Sequence, residues 1–130
     1  MQYETIPPEE IEALDKMETG EKALYLVSVT LSELFSTADV LDLILDAKPN
    51  ECPSLLPARL VCVAHLSRLR GVTDSADFVA RRASFEHLAV LAPSLEAWYT
   101  PLEDSRHFAP SLYRMFVAIC GHRLPEDDAP

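Results

Sequence analysis

Residues 58–70 read ARLVCVAHLSRLR, with Pro57 just before them and Gly71 just after. The middle of this stretch, Leu60-Val61-Cys62-Val63-Ala64, is apolar on every side of a helix, which marks a helix buried over most of its circumference. Gly71 falls at the C′ position, where glycine commonly closes a helix. A helix buried in this way needs neighbours, and the flanking sequence supplies them.

Upstream, Pro49, Pro53 and Pro57 make residues 49–57 a loop. Before it the spacing predicts a helix over Thr37 to Ala47, with Leu41, Ile44 and Leu45 inward and Asp39, Asp42 and Asp46 outward. Ser36 or Thr37 serves as its N-cap, because a side-chain oxygen there can accept from an orphan amide. A further helix is predicted over Glu21 to Phe35, with Leu24, Val27, Leu31 and Leu34 as its core stripe and Ala23 and Leu26 widening it. Gly20 is expected to separate it from a first helix, which starts at Pro8 and runs to about Met17.

Downstream, Thr73 or Asp74 caps a predicted helix over Ser75 to Leu91, with Phe78, Phe85, Leu88 and Ala92 on its core face. Asp77 and Arg81 stand four apart on it, acid first, the favourable order for a helix pair. Pro93 interrupts or restarts the helix before Trp98 and Tyr99, residues 100–109 read as a loop, and Pro110 opens a last helix. Leu112, Met115, Phe116 and Ile119 form its apolar face, and Gly121 ends it. No alternating β-branched run and no Asn-Gly or Asp-Gly turn argues for strands. The expectation is an all-α domain spanning 1–130, with five to seven helices packed around a central buried helix at 58–70. Short flexible ends are expected at about 1–7 and 124–130.

The 130 residues are 48% hydrophobic, which excludes a wholly disordered chain. Eleven basic residues against 21 acidic ones give a net charge of −10. That balance disfavours nucleic acid and anionic membrane surfaces, both of which attract Lys and Arg. The acidic start lacks the basic and apolar pattern of a secretory signal, so none is expected, and no apolar run is long enough to span a bilayer. Cys52, Cys62 and Cys120 form no CxxC pair, so free thiols and a cytoplasmic location are expected.

The charge is unevenly spread. Residues 1–51 hold twelve carboxylates and all three lysines, whereas residues 52–123 hold six carboxylates and all eight arginines. Asp39, Asp42 and Asp46 share one helix face, while Glu9, Glu10, Glu12 and Asp15 give a second acidic surface, with Glu33 near either. Such stripes suit a basic protein partner, accelerating encounter and fixing register; the competing explanation is a solvated face that keeps the protein soluble. Trp98 and Tyr99, with Phe108 across a short loop, form a candidate aromatic contact.

No catalytic or metal-binding pattern stands out, and no cofactor is implied. The four histidines lack ligand spacing, and there is no HExxH, G-x-S-x-G or phosphate-binding glycine loop. His65, on one face with Arg68 and Val61, reads as a hydrogen-bonded structural residue. Cys62 and Cys120 read as small core residues. Cys52 is the exposed thiol, and neighbouring Glu51 is expected to raise its pKa. The arginine groups Arg68-Leu69-Arg70 and Arg81-Arg82 are read as partners for the chain's own carboxylates rather than as an anion site.

The leading functional reading is a non-enzymatic acidic domain that docks on a basic protein, as an antagonist or immunity-type inhibitor does. A second is a helical adaptor, chaperone or dimerisation module using an apolar or aromatic face, compatible with a C2 homodimer. A third is a small ligand-binding or enzymatic helical domain using His65 or Arg68.

Overall fold

A computed structural model describes residues 2–125. Its eight helices are α1 (Pro8–Leu14), α2 (Thr19–Leu31), α3 (Thr37–Ile44), α4 (Leu55–Arg70), α5 (Ser75–Ala80), α6 (Arg82–Leu91), α7 (Leu95–Phe108) and α8 (Pro110–Cys120). Among the described residues there is no strand, only an isolated parallel bridge between Glu4 and Phe35. The chain is thus all-helical, with one more helix than the upper expectation. The extra one arises at Arg81, whose backbone (φ −107°, ψ 24°) leaves helical geometry and splits the predicted 75–91 helix into α5 and α6. Phe78 and Phe85 keep their core positions across the break and stack at 6.2 Å.

α4 starts at Leu55, earlier than the prolines suggested, because Pro57 sits in a first turn where no amide donor is needed. It packs mainly against α7, α2 and α3. Cys62, Val63 and Leu66 are sealed in the core, while Val61 and Leu69 stay 37% exposed, so burial does not extend all round. α5 and α6 rest chiefly on α3 and α8 rather than on α4. Gly71 keeps right-handed helical dihedrals (φ −65°), so the left-handed cap expected there does not form. Its role is close approach: a Cβ at Gly71 would lie 2.7 Å from Ala109 Cβ and 3.0 Å from Leu112 Cδ1. Gly121, by contrast, takes the left-handed conformation (φ 76°) that ends α8 as expected.

Three further expectations are corrected. Gly20 lies inside α2 rather than before it, and α2 is rotated relative to the predicted stripe. Leu26, Val29 and Thr30 are buried, whereas Leu24, Leu31 and Leu34 are exposed. Thr30 can face inward because its hydroxyl donates to Leu26 O at 2.8 Å. The predicted 100–109 loop is helical, since α7 runs through Pro101 to Phe108. Pro101 costs that helix one ladder bond, but burial of Trp98, Leu102 and Ser105 on the same element offsets it.

Outside the helices, Glu4 N donates to Leu34 O at 2.8 Å, and the Arg70 guanidinium lies 5.1 Å from the centroid of the Tyr3 ring. Ile6 and Leu124, within the stretches expected to be flexible ends, are both buried. Met1 and residues 126–130 of those stretches lie outside the described residues.

Candidate protein-docking face

The acidic face begins with a cap. Ser36 Oγ accepts from Asp39 N at 3.1 Å and starts α3, and the helix then sets its residues on alternate sides. Val40, Leu41, Ile44 and Leu45 enter the core, while Asp39, Asp42 and Asp46 remain exposed, as expected. These three aspartates line one side of a groove of about 330 Å³ whose other lining residues are Thr5, Ile6, Ile11 and Leu43. Ile11 comes from α1, the helix that carries Glu9, Glu10 and Glu12. The α3 aspartates are thus the acidic groups that line this apolar-floored cleft; Glu9, Glu10, Glu12 and Asp15 do not line it, so the structure does not join the two acidic stripes in one groove.

Basic side chains answer part of this charge. Arg81 Nε donates to Asp42 Oδ1 at 2.7 Å, and the contact raises the guanidinium pKa further. Lys48 Nζ donates to both Asp15 oxygens at 2.8 and 2.9 Å and stands 4.0 Å from Asp46. The Lys48 hydrogen bond holds the Asp15 carboxyl below its ordinary range, and Asp15 in turn raises Lys48. Glu10 accepts from the Tyr25 hydroxyl at 3.3 Å. No salt bridge at or below 4.0 Å joins Asp39, Glu9 or Glu12 to a basic group among the described residues. Glu33 lies in the turn between α2 and α3 with φ 60°, and it does not line the groove.

Beneath this face lies an ion cluster that spacing did not reveal. Arg59, 1% exposed, donates to Leu43 O and Ile44 O at 3.0 and 2.8 Å, satisfying carbonyls at the end of α3. Its other nitrogens reach Glu51 at 2.9 and 2.6 Å, and Lys22 adds a contact to the same carboxylate at 3.2 Å. Burial pushes Glu51 up, but Arg59 and Lys22 outweigh it and hold the carboxyl below its ordinary range. One signal was present in the sequence: an arginine inside an otherwise apolar helix start requires an acidic partner.

Because Glu51 is turned toward Arg59, its effect on Cys52 is secondary, and the expected rise in that thiol's pKa is corrected. Hydrogen bonds from Ser54, then Thr19, lower it instead. Cys62 is pushed up by burial, as is Cys120. All three thiols are free.

The aromatic candidate divides. Trp98 is fully buried, with its Nε1 donating to Ala92 O at 2.8 Å and its ring 5.9 Å from Phe116, so it is withdrawn from any surface contact. Tyr99 and Phe108 remain 39% and 48% exposed. The arginine groups divide. Arg81 and Arg82 pair with Asp42 and Glu86 as expected, whereas Arg70 donates to Phe35 O and Thr37 Oγ1 rather than to a carboxylate. Arg68 meets His65 Nδ1 at 3.0 Å, and neither residue lines the apolar groove that runs beside α4 past Leu60, Val61 and Pro101.

Among the described residues no cluster of three or more His, Cys, Asp or Glu is arranged to hold a metal, and no helix is long and apolar enough to cross a membrane. No known protein-family model, curated protein or solved structure matches this chain.

Proposed function

We propose that this is a non-enzymatic binding protein whose α1–α3 face docks a cationic segment of a partner protein, in the manner of an antagonist or immunity-type inhibitor. The observation that carries the reading is the groove itself, with Asp39, Asp42 and Asp46 beside Ile6, Ile11 and Leu43. Lys and Arg side chains join an apolar stem to a charged head, so a floor of isoleucine and leucine under a carboxylate rim complements both parts. In this reading α4 is the central scaffold, and Arg59 on it fixes the end of α3 so that the rim is held in register. Three free thiols suit a reducing compartment such as the cytoplasm.

The test is capture of the partner at low salt, followed by measurement of its association rate as salt is added. The rate should fall by about tenfold or more toward the unsteered range. The combined change Asp39→Asn, Asp42→Asn and Asp46→Asn should remove the salt dependence and weaken binding. Arg81→Gln, which frees Asp42, should strengthen it. A partner bound equally well by the triple variant, with a rate indifferent to salt, overturns the reading.

A further inference from the structure

The apolar groove beside α4 has the dimensions of a small-molecule site. Leu56, Leu60 and Val61 from α4, Leu91 from the end of α6, and Ala97 and Pro101 from α7 line a space of about 470 Å³. That volume lies within the ~300–1,000 Å³ of ligand clefts, and it exceeds the roughly 330 Å³ of the acidic groove. The two spaces share no lining residue.

The polar groups in its wall select the kind of molecule that fits. Pro101 has no amide hydrogen, so the Ala97 carbonyl lacks the donor that an unbroken α-helix would supply. Ala97 and Pro101 both line the groove, so the stretch of α7 that lacks this bond is part of its wall. Glu96, in the first turn of α7, lines the same space; it is exposed and joins no salt bridge among the described residues. A helix start ordinarily attracts an anion. Here Ser94 Oγ already accepts from Ala97 N at 3.1 Å, and the Glu96 carboxylate stands beside it. The Ala92 carbonyl is likewise taken, by the Trp98 indole. No Lys, Arg or His lines the groove. What it offers a visitor is an apolar wall, a backbone acceptor and one uncompensated negative charge.

We propose that this groove binds a small apolar molecule carrying a protonated primary amine. The body of the ligand lies against Leu60, Val61 and Leu91, and its ammonium donates to the Ala97 carbonyl and to Glu96. An ammonium brings three donors and no acceptor, which matches the open groups of the wall. A carboxylate of the same shape would face Glu96 and an acceptor carbonyl, and is rejected. A neutral alcohol keeps a hydrogen bond but loses the charge assistance. The site is separate from the α3 aspartates, and the proposal does not rest on the docking function.

Titration of the full chain with phenylbutylamine, followed through its backbone amides by heteronuclear NMR, tests this. The shifts should saturate and cluster on residues 56–61 and 91–101, leaving the α3 amides unmoved. Phenylbutanol should bind about tenfold more weakly, and phenylbutyrate should not bind. Glu96→Gln, at an exposed position, should weaken the amine by about tenfold and leave the alcohol unchanged. Val61→Trp, at a position 37% exposed, fills the groove and should abolish binding of both. The variant with Asp39, Asp42 and Asp46 all changed to asparagine should bind the amine like the parent. Failure of the amine to saturate, equal affinity for amine and carboxylate, undiminished binding by Glu96→Gln, or loss of binding in the triple asparagine variant overturns the proposal. None of these outcomes requires a protein partner, so the docking reading stands or falls separately.

Discussion

Arg59 shows how much one buried cation can organise. It satisfies two carbonyls at the end of α3 and a carboxylate from the following loop, with almost no exposure. Removing one partner of such a pair leaves the other buried and uncompensated, so Arg59→Ala should cost about 3–5 kcal/mol in urea unfolding. Arg82→Ala breaks only the exposed pair with Glu86 and should cost no more than about 0.5 kcal/mol. The pH dependence follows from Glu51, whose folded-state pKa lies below its ordinary 4.5. Its contribution is fully present above the unfolded value and is lost as pH falls through the folded one. Stability followed by denaturant titration should therefore drop below about pH 4.5, and Glu51→Gln should flatten that acid limb.

At the level of elements, the two helical glycines make a matched pair. Gly71→Ala forces a methyl toward Ala109 and Leu112 where α4 meets the start of α8, and overpacking of that kind costs about 1–3 kcal/mol. Gly20→Ala in α2 meets nothing within 4 Å and should be neutral or stabilise by up to about 1 kcal/mol. Thermal midpoints of the two variants should move in opposite directions or, at the least, differ clearly. The same elements show what could be read from the chain. α3 was legible because its aspartates and leucines separate cleanly onto two faces, and its serine cap and its outward stripe stand where the spacing placed them. α2 was not, since Leu24/Val27/Leu31 and Leu26/Val29/Thr30 both satisfy helical periodicity, and only packing against α4 chooses between them. α7 was missed because a proline usually interrupts a helix, and tertiary burial of Trp98 and Leu102 overrode that preference. The groove escaped notice for a different reason: its floor combines Ile6, Ile11 and Leu43, which no local pattern associates.

Across the whole molecule, the first residues act as a strap over later elements. Glu4 pairs with the α2–α3 turn, Tyr3 covers Arg70, and Ile6 is buried beneath the acidic groove. Ile6→Ala should therefore cost about 2–4 kcal/mol. It should also weaken partner docking even where the fold is saturated, as binding measured well below the melting transition would show. The uneven allocation of basic residue types has its own outcome. Lys16, Lys22 and Lys48 all belong to the acidic half, and two of them are engaged with Asp15 at its edge. Amine-directed chemistry, whether a dye, a biotin or a sensor chip, can therefore reach side-chain amines only on the half of the chain that carries the cleft. Coupling there would hide the surface under study and erase the cations that temper it, so a tether on the arginine-bearing half keeps that face open.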